Sequence, residues 1–131
     1  MKLSMDEILL MNALTQVTGV AAKDCVIDGQ LVSFLIFEKD MGKAIGKKAA
    51  NIKDLQEKLN KRIELVPYVE KPEEVFAKAL EINYATARKS GGRIIVMLDA
   101  QNKAKAFKNS SRIRRVKEII KRNFGLELII N

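Results

Sequence analysis

The sequence predicts an α+β protein built from two small modules in tandem, and three observations predict it. The order helix, strand, strand, short helix, loop, helix, strand can be read twice, with a period of roughly sixty residues. The length of 131 residues, 47% of them apolar, suits one compact domain or two small ones sharing an interface. The only two prolines, Pro67 and Pro72, bracket a short, stiff connection. The boundary is placed there, giving modules over residues 1–67 and 68–131.

In the first module Ser4 and Glu7 have capping-box spacing, so a helix spans Ser4 to Val17 and Gly19 ends it. Met5, Ile8, Leu9, Ala13 and Val17 recur on one face, which is expected to be the buried one. Asp24–Ile27 and Leu31–Glu38 read as strands joined by the tight-turn pair Asp28-Gly29. The second is nearly continuously apolar, as a central strand would be. After Asp40 come a short helical turn and a small-residue loop. A longer helix then runs to about Asn60, with Ile52, Leu55 and Leu59 on its buried side. Arg62–Val66 is a strand.

The second module retraces this order. Pro72 suits the first turn of a helix over Glu73–Leu80. Ile82–Ala87 reads as a strand, Ser90-Gly91-Gly92 as a turn, and Arg93–Leu98 as a strongly apolar strand. Asn102–Ser111 reads as a basic, irregular stretch. The next helix reaches about Asn123, stopped by Gly125 and buried through Ile113, Val116, Ile119 and Ile120, and Leu126–Ile130 is the last strand. Phe107 and Phe124 read as core residues of this module. Phe34 and Phe37 have opposite parity along their strand, so one of them belongs to the core. Tyr68 either packs the modules together or stacks on a base.

Composition removes several functional classes. Aromatic residues are 5% and Trp is absent, so the core is aliphatic. The chain has no His, which removes the usual general base, metal ligand and proton shuttle. Cys25 stands alone and reads as a small buried hydrophobe in a reduced compartment. Asp54 and Glu57 lie on a solvated helix face and do not suggest a catalytic pair. No enzyme, cofactor or metal is expected. Nor is a membrane partner, since no run reaches the 18 or so apolar residues of a span. Met1-Lys2-Leu3-Ser4-Met5-Asp6-Glu7 carries early acids and no cleavage site, unlike a signal peptide, so a cytoplasmic location is expected.

Charge is more informative. Residues 1–70 hold 10 Lys and Arg against 10 Asp and Glu, whereas residues 71–131 hold 14 against 6, so the net +8 lies in the second half. Between Arg88 and Arg122 there are 12 basic residues and only two acids, Asp99 and Glu118. A solvated surface normally mixes signs, and a one-signed stretch of this density points to a polyanion.

The sharpest local feature is Ile45-Gly46-Lys47-Lys48-Ala49-Ala50-Asn51-Ile52. Small residues let a phosphate backbone approach the main chain, and the helix start and two ammonium groups supply attraction. Local physics leaves a second reading open: a helix–turn–helix corner with Gly46 as a stop and solvated lysines. The stretch resembles the KH signature I-G-x-x-G-x-x-I, whose loop clamps the backbone of about four nucleotides. With the lead-in Asp40-Met41-Gly42-Lys43-Ala44, the chain is similar to the short archaeal NusA-like transcription factors. The resemblance implies two tandem type II KH domains, each a small three-stranded sheet with helices packed on one face.

Two departures stand out. The first loop ends in Ala49 instead of glycine, which suits close approach provided that position needs no positive φ. The second module has Phe107-Lys108-Asn109-Ser110-Ser111-Arg112, without any glycine, yet keeps Lys103, Lys105, Lys108, Arg112, Arg114 and Arg115. The first module thus keeps the loop's form and the second supplies most of the attraction. Single-stranded RNA is expected along one groove across both modules. Gly46 and Ala49 admit its backbone, Lys43, Lys47 and Lys48 meet phosphates, and Asn51 reaches a phosphate or base edge. Ile45 and Ile52 receive bases, and Lys103, Lys105, Lys108, Asn109, Ser110, Arg112 and Arg115 hold the RNA further along. The resemblance implies action in transcription elongation, antitermination or termination, on a nascent transcript. A ribosomal or rRNA-processing binding protein and a protein-interaction adaptor remain alternatives. Bacterial members carry an extra N-terminal polymerase-binding domain, for which this chain has no room, so RNA polymerase is a partner by resemblance alone.

Overall fold

The computed structural model describes residues 3–131, so the leader reading at Met1 and Lys2 lies outside the described residues. The chain divides into two compact units, one ending at Tyr68 and the other beginning at Val69. The first runs α1 (Met5–Thr18), β1 (Asp24–Asp28), β2 (Leu31–Phe37), α2 (Met41–Ile45), α3 (Ala50–Leu59) and β3 (Arg62–Tyr68). The second runs α4 (Pro72–Leu80), β4 (Thr86–Ser90), β5 (Arg93–Met97), α5 (Ala100–Phe107), α6 (Ser110–Phe124) and β6 (Glu127–Ile130).

Each unit is a three-stranded sheet, ordered β1-β2-β3 and β4-β5-β6. In both, the first pair is antiparallel and the second parallel. Parallel neighbours need a crossover, and the helix pair between the second and third strands supplies it. This is the type II element order, present twice.

Helix α1 starts as its sequence requires. Ser4 Oγ accepts from the Glu7 amide at 3.1 Å, and the Ser4 amide donates to Glu7 Oε1 at 2.8 Å. Gly19, with φ +74°, closes the helix by donating to Thr15 O. The buried face, however, differs from the expected one. Met5, Ile8 and Leu9 are exposed, while Ala13, Leu14 and Thr18 are buried and Leu10, Met11 and Val17 pack at the core edge. Apolar residues surround this helix almost completely, so spacing alone does not select the inward side.

The first core joins α1, α2 and α3 to one face of β2, where Val32, Phe34 and Ile36 alternate toward Leu14, Ala44 and Leu55. Cys25 is buried there and forms no disulfide. Phe37 takes the opposite side and is exposed, its ring 5.3 Å from that of Tyr68 in an edge arrangement. Lys23 Nζ sits 4.8 Å from the Tyr68 centroid. Strand β3 continues through Pro67 and Tyr68, where a connection was expected; Pro67 is tolerated because β3 is an edge strand.

In the second unit α4 packs on α6, and Val75, Phe76 and Leu80 share the interior with Ile94, Val96, Ile113, Val116, Ile119, Ile120 and Leu128. Strand β4 lies at Thr86–Ser90, later than the expected Ile82–Ala87. Its register is set by the hairpin at Gly91-Gly92, which pairs Ser90 with Arg93. Of the stretch expected to be irregular, the last two residues, Ser110 and Ser111, open α6, and most of the rest is helix α5. Asp99 caps it, accepting from the Asn102 amide at 2.8 Å, and alanines and lysines sustain it. Phe107, expected in the core, is 50% exposed, because Ala106 is the α5 residue that turns inward. Phe124 is half-buried. Among the described residues no helix is long and apolar enough to cross a membrane.

Candidate nucleic-acid interface

The corner between α2 and α3 brings Lys43, Ile45, Gly46, Lys47, Lys48, Ala49, Asn51 and Ile52 together. Helix α2 closes when the Gly46 amide donates to Gly42 O at 2.9 Å. Gly46 has φ +77° and ψ 169°, a conformation reserved in practice for glycine. A Cβ at this position would lie 2.8 Å from Asn51 Cγ and 2.9 Å from the Asn51 backbone nitrogen. Gly46 is therefore a structural requirement of the corner as well as a helix stop.

Lys47–Ala49 forms a single tight turn, with Lys48 at φ +53° and Ala49 at φ +60°. The Ala49 position thus does take a positive φ. Ala49 N donates to Gly46 O at 3.1 Å, and Asn51 Nδ2 donates to Lys43 O at 2.8 Å, tying the first turn of α3 to α2. Asn51 is in the first place a brace. Lys47 and Lys48 are exposed, Ile45 is 37% exposed, and Ile52 is half-buried beside them. Lys43 is exposed and lies over the C-terminus of α1, where a Cβ on Gly19 would meet its Cε and Nζ at 3.4 Å. Helix α1 has no basic residue in its last turn, and this ammonium faces its negative end.

The equivalent corner of the second unit is built differently. Lys108 and Asn109 alone link α5 to α6, both with negative φ. Without a left-handed residue the main chain forms no counterpart of the first loop. The basic residues here have separate tasks. Lys105 Nζ donates to Glu81 O at 2.6 Å, and Arg112 Nη1 donates to Ala79 O at 3.3 Å, so both brace the C-terminal end of α4. Arg115 is 6% exposed and belongs to the packing of α6, which corrects its expected place on the contact surface. Lys103, Lys108, Asn109 and Ser110 are exposed.

Between α6 and the edge strand β6 lies a groove of about 440 Å³, lined by Ser110, Ile113, Arg114, Lys117, Glu118, Lys121, Glu127 and Leu128. Ile113 and Leu128 give it an apolar floor. Arg114, Lys117 and Lys121 follow one helix face at intervals of three and four, a pattern visible in the sequence but overshadowed by the loop. Of the two acids, Glu127 lies 3.8 Å from Arg93 Nε in an exposed pair. Among the described residues no three His, Cys, Asp or Glu side chains gather as a metal site.

The KH-domain family model matches residues 9–127. The chain is similar to three archaeal proteins called probable transcription termination protein NusA. That of Methanocaldococcus jannaschii is 33% identical over 67 residues, covering 51% of this chain and 37% of that protein. That of Methanococcus vannielii is 29% identical over 99 residues, covering 72% and 57%. That of Halococcus morrhuae is 38% identical over 64 residues, covering 49% and 46%. The chain therefore spans between about a third and somewhat over half the length of these curated relatives. The crystal structure of APE1850 is similar at a TM-score of 0.84 and 26% identity, with 98% of this chain and 100% of that chain covered. A family match running through both sheets, on two units of one element order and a glycine-hinged loop in the first, makes this chain a member of the KH-domain family.

Proposed function

We propose that the chain is a single-stranded RNA-binding protein acting in transcription elongation, antitermination or termination, gripping the RNA backbone at the Gly46–Ala49 loop. The loop's conformation carries this reading. Two successive non-glycine residues are left-handed, at about 1–2 kcal/mol each, and strain of this kind gathers at binding sites. The result is a main-chain corner with two exposed lysines at its tip.

Phosphates approach at Gly46 and Ala49, Lys47 and Lys48 neutralise them, and Lys43 adds longer-range attraction. Bases turn toward Ile45 and Ile52. In the second unit the groove between α6 and β6 offers Ile113 and Leu128 to bases and Arg114, Lys117 and Lys121 to phosphates. Lys103, Lys108, Asn109 and Ser110 extend that surface past the corner. The archaeal relatives are called probable transcription termination proteins, which supports a transcript as the RNA; nearby RNA polymerase and a cytoplasmic location belong to the same proposal. The glycine-free corner of the second unit favours one other reading for that unit, a protein-interaction adaptor.

A direct test compares the binding of a short oligouridine and of duplex DNA by the unmodified chain and by the Lys47→Asp, Lys48→Asp double variant. The expected result is preference for the oligouridine and a loss of affinity of about tenfold or more in the variant. Unchanged affinity in a folded variant contradicts the assignment of the loop. Binding to neither nucleic acid at low salt favours the adaptor.

A further inference from the structure

We propose that Phe107 is a stacking platform for one nucleobase of the bound RNA, a contact that takes over at the second corner where the main-chain clamp is missing. The inference rests on the RNA-binding reading above and adds a site to it.

Phe107 is the last residue of α5 and is 50% exposed, the one exposed aromatic of the second unit among the described residues. A lone exposed apolar side chain is ordinary; its position here is not. Ala106 supplies the buried contact of α5, so packing does not require a large ring at the next position. One helical turn back on the same face stand Lys103 and Ala104, both exposed. Ahead in the chain, Lys108, Asn109, Ser110 and Ser111 are exposed, and none is apolar. The ring's neighbours in the chain are therefore small, polar or cationic, and none is a large apolar side chain. Three residues further along the chain, Ser110 lines the α6 groove.

Charge complementarity selects the occupant. An aromatic face flanked by Lys103 and Lys108, within a stretch of 12 basic residues and two acids, suits a planar base whose own phosphates reach those ammonium groups. In the first unit, Gly46 and Ala49 let the backbone come close; in the second, the two-residue link of negative φ does not, and stacking replaces that contact.

The chain contains no Trp, so Phe107→Trp introduces a single tryptophan, which can be excited selectively over Tyr68 and Tyr84. Its emission is followed during titration with a short oligouridine and with an abasic ribose-phosphate oligomer of equal length. Affinities of Phe107→Ala and Phe107→Leu are measured beside it. The expected results are retained affinity and saturable quenching by oligouridine, no quenching by the abasic oligomer, and about tenfold weaker binding in both the Ala and Leu variants. The salt dependence of those two variants should match that of the unmodified chain, because no phosphate contact is lost. If oligouridine still binds but the tryptophan is unquenched and Phe107→Leu is unaffected, the stacking site is overturned and RNA binding stands. If the unmodified chain does not bind oligouridine, both fall.

Discussion

Ala49 occupies a backbone conformation that a glycine would hold at lower cost. Its φ of +60° strains the alanine, so Ala49→Gly should stabilise the first unit, offset partly by the greater freedom of glycine in the unfolded chain. The expected net gain is about 0.5–1 kcal/mol in chemical denaturation, with RNA affinity kept. Gly46→Ala should act in the opposite direction. It combines a forbidden φ with a Cβ pressed against the Asn51 backbone, and it should lower stability by about 3 kcal/mol in the same assay. The importance of Gly46 was legible from its small-residue, lysine-bearing surroundings. The left-handed turn at Lys48 and Ala49 was not, because both residue types favour right-handed helix and only the closure of α2 onto α3 overrides that preference.

Helix α5 shows what charge can hide at the scale of an element. Lysines between Asn102 and Lys108 suggested a solvated, irregular stretch, yet Lys is a good helix former and Asp99 provides a cap. Backbone and side-chain hydrogen bonds from Asn102 hold the Asp99 carboxyl below its usual range. Since the folded value is lowered, the cap is fully present above the ordinary carboxylate range and is lost as pH falls through the lowered one. Asp99→Asn should keep α5 in acid, whereas Asp99→Ala should fray it at neutral pH, seen as faster amide exchange at Gln101–Lys103. Tyr84 gives the opposite case. Burial, and then a 2.8 Å hydrogen bond to Glu74, push its hydroxyl up to about 12 from 10.0. Its contribution to stability is complete below pH 10 and is lost as pH rises through about 12, so Tyr84→Phe should flatten alkaline unfolding over that interval. The α1 face and the β4 register were hidden for other reasons. Helix α1 is apolar on nearly all sides, and β4 takes its register from the glycine hairpin, not from its own weak pattern.

For the molecule as a whole, the duplicated element order and central strands β2 and β5 were readable because apolar runs and turn residues agreed. The basic character of the second half was readable too, but not the separate tasks of its cations. Arg115 packs, Lys105 and Arg112 brace α4, and Lys117 and Lys121 line the α6 groove. Burial and hydrogen bonding make that division, and neither is written in a count of charges. In the proposed function, the first unit grips the RNA and the α6 face of the second supplies much of the electrostatic attraction. The most direct test is the dependence of oligouridine affinity on salt for the unmodified chain and for Lys117→Gln, Lys121→Gln. Loss of two phosphate contacts should make the slope of log K against log salt shallower by about 1.4 for a single strand. An unchanged slope and affinity in that variant would contradict the division of labour between the two units.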